Sequence, residues 1–295
     1  MSLFTDPLSE AKHYFSLGFF ERAEKSIRHS TSEENREQHL ALLYKILFYA
    51  GKYKQLIYEA EQHSALKSRD RETCYFLYQS YMAVQHYPAA IKAIDAFLHI
   101  DIEDLPTLMD KAICYYHLKQ LDNAEGIIRK IIELQPESAV AYNNLANILK
   151  DKKELDAAQN AYEKAIQLQP NMADAYVGAG IIARQKGEFA HCEQRFLSAI
   201  DVNSRHYLAR YHLATLYKSN KEYDKSIQQW LILTEQYPYA EDNYFILCNL
   251  YRQQGDIEQA IVILERCLTI NPHNSNAQHL CAALKQETTE SAPEG

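Results

Sequence analysis

The side chains best suited to chemistry in this sequence are six cysteines, which could act as nucleophiles, form disulfides or bind a metal. They are far apart along the chain, no two of them form a CxxC pair, and no cluster of histidines completes a metal site beside them: Cys74, Cys114, Cys192, Cys248, Cys267 and Cys281. Structural zinc sites and redox pairs need such ligands at close spacing. The pattern therefore predicts reduced thiols in a hydrophobic core and no metal site.

Acid–base catalysis and phosphate binding have little support in the sequence. The carboxylate pairs Glu33-Glu34 and Glu103-Asp104 stand at predicted helix starts, where the helix dipole stabilises negative charge. The glycine-rich stretch 178–180 lacks the Lys-Ser/Thr sequel of a phosphate-binding loop and is better explained by close helix packing. The HExxH and GxSxG motifs do not occur. We therefore expect a protein that is not an enzyme and that has no cofactor.

Composition narrows the class of partner and the fold. The 295 residues include 31 basic and 39 acidic side chains, for a formal net charge of −8, whereas a general binder of nucleic acid or of anionic membranes needs a basic surface. With 47% hydrophobic residues the chain can form a core, and the low counts of 8 Gly and 8 Pro favour helices. No secretory signal and no run of about 18 apolar residues is visible, so membrane insertion is not expected and the expected location is the cytoplasm.

The elements that position any functional side chain come from an internal repeat. When residues 139–172 are aligned with the rest of the chain, matches recur at a constant offset of 34 residues, and a 33-residue block precedes the first full match. The predicted repeats are 4–36, 37–70, 71–104, 105–138, 139–172, 173–206, 207–240 and 241–274.

Each repeat is predicted to be a helix, a turn and a second helix, because two apolar stripes with helical spacing flank a short central segment. Four glycines occupy the same place in that turn: Gly18, Gly51, Gly187 and Gly255. Another shared place, just after the second helix, is occupied by four prolines: Pro136, Pro170, Pro238 and Pro272. A proline there cannot extend the helix and so marks its end.

The 34-residue period, together with Leu145-Ala146, Ala158, Tyr162, Ala165 and Pro170, resembles the tetratricopeptide repeat (TPR). The resemblance covers 271 of the 295 residues, from 4 to 274. It implies an all-α fold, an α-solenoid of helix-turn-helix hairpins wound into a right-handed superhelix. Residues 275–286 are expected to form a C-terminal capping helix, and residues 287–295 a disordered acidic tail.

The resemblance also implies where a ligand would lie, because the first helix of each TPR lines a concave groove and its second, fifth, ninth, twelfth and thirteenth places face that groove. At the twelfth place the last four repeats carry a basic residue, and we call this set the basic ladder: Lys150, Arg184, Lys218 and Arg252. Amide side chains able to bind an extended backbone accompany it: Asn143, Asn144, Asn147 and Asn249. One interpretation is that the ladder binds an acidic segment or a free C-terminal carboxylate, and the alternative is that it only complements the helix dipole.

The first four repeats present apolar side chains at the groove-facing places instead: Phe15, Phe48, Tyr75, Met82 and Tyr116. Contact with an apolar part of a partner segment is one explanation. Burial between neighbouring helices, or against a second copy of the chain, is the other. Some TPR domains bind acidic chaperone tails through a carboxylate clamp of Lys, Asn and Arg, and this sequence does not reproduce that pattern.

The function that these features favour is a non-catalytic adaptor or scaffold, which binds a protein or peptide segment in the groove. Two alternatives stay open. One is a structural module that assembles into a homodimer through the apolar N-terminal half, and the other is a regulatory subunit of an enzyme carried on another chain.

Overall fold

The computed structural model describes residues 6–29, 36–63, 70–100 and 103–290, and within them the chain forms seventeen α-helices and no β-strand. The predicted all-α solenoid class is confirmed, since successive helices pair into hairpins and successive hairpins pack side by side within each of two compact units. We call residues 1–137 unit 1 and residues 138–295 unit 2.

The described residues of unit 1 form eight helices. They are α1 (Pro7–Ser16), α2 (Phe20–Arg28), α3 (Arg36–Tyr49), α4 (Tyr53–Gln62), α5 (Arg71–Ala83), α6 (Tyr87–Leu98), α7 (Leu105–His117) and α8 (Leu121–Leu134). Aspartate side chains cap the N-termini of α1, α5 and α7, each of which is the first helix of its hairpin. Asp6, Asp70 and Asp104 accept hydrogen bonds from the backbone N–H groups of Ser9, Thr73 and Thr107 at 2.8, 2.8 and 2.9 Å, respectively.

The described residues of unit 2 form nine helices. They are α9 (Ala139–Asp151), α10 (Leu155–Leu168), α11 (Ala173–Gln185), α12 (Phe189–Val202), α13 (Tyr207–Ser219), α14 (Tyr223–Gln236), α15 (Glu241–Gln253), α16 (Ile257–Ile270) and α17 (Ser275–Glu290). As the prolines predict, α8, α10, α14 and α16 each end two residues before Pro136, Pro170, Pro238 and Pro272.

All eight hairpin turns share one backbone geometry. The four glycines of the turn have positive φ, as expected, and so do the four non-glycine residues at the same place, with φ between 60° and 68°: Gln85, Lys119, Lys153 and Lys221. In the turn after α9, the Lys153 N–H donates to the Lys150 carbonyl at 3.0 Å and the Glu154 N–H donates to the Leu149 carbonyl at 2.9 Å. These two bonds satisfy carbonyls at the helix end and need a left-handed residue between them, which explains why a lysine is held there.

Helix pairing in unit 2 rests on small residues facing large ones. Ala146 and Ala158 are completely buried, and the backbones of α9 and α10 approach closely where they meet. The large fully buried side chains Tyr162, Phe196 and Trp230 fill the space beside the neighbouring helices.

The C-terminal helix departs from expectation at its end. Ala277, Cys281 and Leu284 of α17 are buried against the last hairpin, as a capping helix requires, but the helix continues to Glu290 instead of ending at residue 286. No Gly or Pro interrupts residues 287–290, and the Thr288 and Thr289 hydroxyls donate to carbonyls one turn back. Disorder from residue 287 was therefore a wrong prediction for these four residues, and the remainder of the predicted tail, 291–295, lies outside the described residues.

Candidate peptide-binding surface

The reactive side chains singled out by the sequence lie in the core. All six cysteines are buried and none is in a disulfide. Burial disfavours the thiolate and raises the pKa of Cys114 to about 12 and that of Cys192 to about 11. Among the described residues no three His, Cys, Asp or Glu side chains are grouped so that they could hold a metal ion.

The glycine-rich stretch serves helix packing. A Cβ at Gly178 would lie 2.3 Å from the ring of Tyr162, and a Cβ at Gly180 would lie 2.6 Å from the ring of Phe196. Only glycine allows α11 to approach these rings so closely. Of the carboxylate pairs, Asp104 caps α7, and Glu33-Glu34 lies outside the described residues.

The basic ladder lies in the last turn of the first helix of each hairpin of unit 2: Lys150 on α9, Arg184 on α11, Lys218 on α13 and Arg252 on α15. Arg252 is exposed and the other three side chains are half-buried. Within the part of the chain that the structure describes, Arg184, Lys218 and Arg252 form no ion pair or hydrogen bond through their side chains.

Some other cations of unit 2 are paired with carboxylates. Lys186 donates to Asp156 at 2.9 Å, and Arg195 donates to Glu163 at 2.6 Å. The side-chain charges of Arg184, Lys218 and Arg252 thus differ from these neighbours in having no internal counter-ion.

The asparagines beside the ladder are held to different degrees. The Asn147 Oδ1 atom accepts a hydrogen bond from the Tyr162 hydroxyl at 2.7 Å and another from Lys150 Nζ at 3.3 Å, so its orientation is fixed by a buried ring. The Asn143 Oδ1 atom is buried and has no hydrogen-bond partner. Asn144 is half-buried, whereas Asn249 is exposed.

His212 on α13 belongs to the same surface, although sequence reasoning did not select it. Its ring stacks on Phe196 with centroids 5.5 Å apart, and its Nδ1 atom is buried without a hydrogen-bond partner. Burial first, and then the positive charges of Arg184 and Lys150, lower the pKa of His212 to about 4. The side chain is therefore neutral at pH 7, and the charges of two ladder cations act on it.

The apolar set of unit 1 lies in a network of aromatic contacts. Phe15 packs against Phe20 and Tyr49 at 5.7 and 5.6 Å between ring centroids, and Phe48 lies 5.0 Å from Phe76 and 6.3 Å from Tyr75. Phe15 and Phe48 are half-buried at the edge of the core, as is Met82, while Tyr75 is 39% exposed. The half-buried Tyr116 lies beside His117 and under the ammonium group of Lys119.

Comparison with known families gives matches to parts of the chain. Residues 139–172 and 242–274 each match a family model described as tetratricopeptide repeat, and both segments coincide with hairpins described above. The chain contains tetratricopeptide repeats. Residues 41–102 also match a model described as coatomer epsilon subunit.

Individual proteins similar to this TPR protein match it over limited lengths. Anaphase-promoting complex subunit 3 of Dictyostelium discoideum is 30% identical over 78 residues, which are 26% of this chain and 8% of that protein. The structure of PilF of Pseudomonas aeruginosa has a TM-score of 0.57 at 17% identity and covers 72% of this chain and 97% of its own. The APC/C hetero-tetramer Cut9–Hcn1 has a TM-score of 0.56 at 15% identity, covering 94% of this chain and 55% of that one. At these identities the structural matches show the fold alone.

The residues missed by sequence reasoning share one place of the TPR. His212 is at the sixth place of its repeat, and so is Asp110 in unit 1. The second, sixth, ninth and thirteenth places are three or four residues apart and lie on one face of a helix, so helical spacing alone could have added the sixth place to the groove-facing set.

As to the membrane, each described helix is too short or too polar to cross a bilayer.

Proposed function

We propose that this TPR protein is a non-catalytic scaffold whose basic ladder binds an acidic segment, or the free C-terminal carboxylate, of a protein partner. The names of its relatives support a role in assemblies: one is a subunit of the anaphase-promoting complex, and Cut9 forms a hetero-tetramer with Hcn1. The proposal for this chain rests on the side chains of unit 2.

The observation that carries the proposal is the contrast between first and second helices in unit 2. Every first helix of its four hairpins has a cation in the last turn, whereas α10, α12, α14 and α16 have none there. The helix dipole attracts a cation to the C-terminal end of either kind of helix. The dipole therefore does not account for the ladder by itself, and the contrast favours a ligand that faces the first helices.

Unsatisfied polar groups on the same helices support a ligand role. Arg184, Lys218 and Arg252 have no internal counter-ion, and the buried Asn143 Oδ1 and His212 Nδ1 atoms have no hydrogen-bond partner. Buried polar atoms in native proteins are nearly always paired. A peptide would supply carboxylates for the cations.

In unit 1 the proposal assigns the apolar set two roles. Phe15 and Phe48 pack chiefly within the unit, because their rings contact several other aromatic rings. Tyr75 is exposed enough to contact a partner directly. Met82 and Tyr116, both half-buried, are expected to contribute apolar area at the edge of that contact.

The test is fluorescence anisotropy with a labelled peptide that contains a run of Asp and Glu and ends in a free carboxylate. The ladder variant reverses all four charges: Lys150→Glu, Arg184→Glu, Lys218→Glu and Arg252→Glu. A matched control reverses four exposed lysines that have no ion-pair partner in the described structure: Lys54→Glu, Lys130→Glu, Lys153→Glu and Lys221→Glu. Both variants change the net charge equally, so only the position of the charges differs.

We expect the ladder variant to lose affinity by about 30-fold or more, since each exposed ion pair contributes up to ~1 kcal/mol, while the control stays within a fewfold of the parent. Raising the ionic strength should weaken binding to the parent. Equal losses in both variants would show that only net charge matters and would remove the ladder as a site. Light scattering on the same samples tests self-assembly, which a monomeric parent excludes.

A further inference from the structure

A second concave site lies within unit 1, in a cavity of about 650 Å³ bordered by α3, α5, α6 and α7. Its walls are aromatic: the rings of Tyr75 and Tyr78 meet edge to face at 5.4 Å, and those of Tyr78 and Phe97 at 5.8 Å. Tyr49 and Tyr75, which are 54% and 39% exposed, bring further ring surface to the opening.

Four carboxylates line the cavity, and three of them have a structural partner. Asp70 and Asp104 cap α5 and α7, and Glu72 forms an ion pair with Lys45 at 2.6 Å. The fourth, Asp110, accepts a hydrogen bond from the Gln79 side-chain amide at 2.9 Å and forms no ion pair with any described residue.

The surroundings of Asp110 leave its negative charge uncompensated. The carboxyl group is half-buried, and loss of water is the largest cause that raises its pKa, opposed by hydrogen bonds from Gln79 and Tyr78. A cation next to this carboxylate would stabilise its charged form. A carboxylate in a cavity whose pKa is shifted by loss of water is a candidate for a functional group.

The cavity already contains one example of the recognition that its walls allow. The Arg71 guanidinium lies 4.9 Å from the centre of the Phe97 ring and donates to Asp104 at 3.1 Å. An aromatic face and a carboxylate together thus hold a planar cation in the cavity lining. Tyr75, Tyr78 and Asp110 present the same two chemical groups in that lining, and no cationic side chain of the described structure pairs with Asp110.

We propose that this cavity binds an arginine or lysine side chain of a partner segment, with Asp110 as the ion-pair partner and the ring of Tyr75 as the aromatic face. Charge complementarity selects this occupant, because the lining contains four acidic side chains and a single basic one, Arg71, which is itself paired. An acidic segment of the kind proposed for the basic ladder would be repelled here. The inference rests on the proposed function only for the idea that a partner segment lies against this surface.

The cavity can be tested without knowing the partner. The probes are N-acetyl-arginine methylamide and its citrulline analogue, which has nearly the same shape but no charge, and binding is followed by saturation-transfer NMR on the full chain. One side chain held by one ion pair binds with a Kd on the order of 1 to 10 mM, which this measurement detects. The variants are Asp110→Asn, Tyr75→Leu, the ladder variant, and Asp201→Asn as a control at an exposed carboxylate of unit 2.

We expect saturation transfer to the arginine derivative and much less to the citrulline analogue. Asp110→Asn should weaken binding about tenfold and Tyr75→Leu about threefold, while Asp201→Asn and the ladder variant bind like the parent. Equal binding of the two probes, unchanged binding by Asp110→Asn, or no transfer to the arginine derivative would overturn the proposal. Because the ladder variant tests the acidic peptide and Asp110→Asn tests the cationic probe, failure of one proposal is distinguishable from failure of the other.

Discussion

Replacing Gly178 by alanine tests whether the stability of the fold and peptide binding at the basic ladder depend on the contact between Gly178 and Tyr162. The new methyl group would lie 2.3 Å from two ring carbons of Tyr162 and 2.7 Å from its hydroxyl, whereas ordinary contacts are 3.4–4 Å. The ring must move by more than about 1 Å, and overpacking of this kind costs about 1–3 kcal/mol. Because the same hydroxyl orients Asn147, moving the ring also breaks a hydrogen bond that contributes about 1 kcal/mol.

Alanine has a better helix propensity than glycine by about 1 kcal/mol, so the net expected loss for Gly178→Ala is about 1–3 kcal/mol. Gly126→Ala on α8 is the matched control, since no atom lies within 4 Å of its added Cβ, and it should gain about 0.5–1 kcal/mol. Repeat proteins unfold locally, so the measurement is hydrogen exchange followed by mass spectrometry over α9–α12, supported by urea denaturation.

A double-mutant cycle identifies the cause. In a Tyr162→Leu background the ring is gone, and Gly178→Ala should then cost little or even stabilise the protein. Two results would contradict this reasoning: Gly178→Ala is as stable as the parent, or it lowers the unfolding free energy by the same amount when residue 162 is leucine. Either result would mean that α11 does not approach the Tyr162 ring as closely as described. Affinity for the acidic peptide should fall in Gly178→Ala, since Asn147 and Lys150 share that hydrogen-bond network.

Three further predictions follow from backbone geometry, titration and packing. Lys153→Gly should raise the unfolding free energy by about 1 kcal/mol, because a φ of 68° is strained for a lysine. Gly187→Ala, at the same place of another turn, should lower the unfolding free energy, and urea denaturation measures both changes. His212 has a pKa of about 4 in the fold and 6.5 ordinarily, so between these pH values only the unfolded chain gains the proton; stability should fall as the pH drops through this window, and less so in His212→Gln. Phe48→Ala should cost about 2 kcal/mol or more in thermal or urea unfolding, because its ring packs on Phe76, whereas Arg184→Ala should change stability by less than about 0.5 kcal/mol.

Much of the fold could be predicted from the sequence because its regularity has local causes. The four turn glycines and the four prolines occupy fixed places, and the structure ends helices where they predict. A rule that links positive φ to glycine does not find Gln85 or Lys153, since there the hydrogen bonds of the turn, and not the residue type, impose the conformation. The end of α17 was missed for the opposite reason, because acidic composition predicts disorder while residues 287–290 still continue a packed helix.

The candidate sites could be predicted only in part. The twelfth place led to the basic ladder because one residue class recurs there four times. The cavity of unit 1 has no such signature: its carboxylates come from two helix caps and from the second and sixth places of the repeat, and its walls come from α3, α5, α6 and α7. Asp110 is a candidate for a binding residue because its carboxyl group is partly removed from water and has no cationic partner. Both properties depend on packing between helices that are distant in sequence.

The twelfth place is filled in two physically different ways, and the difference bears on function. In unit 1 Phe48 adds its ring to an aromatic cluster, so the fold itself explains the residue. In unit 2 Arg184 and Lys218 contact no counter-ion, and the corresponding turns of the second helices do without a cation. Arg184 and Lys218 are half-buried, but no described carboxylate pairs with them. This contrast between the two units is the reason for proposing that a ligand with negative charge binds the basic ladder.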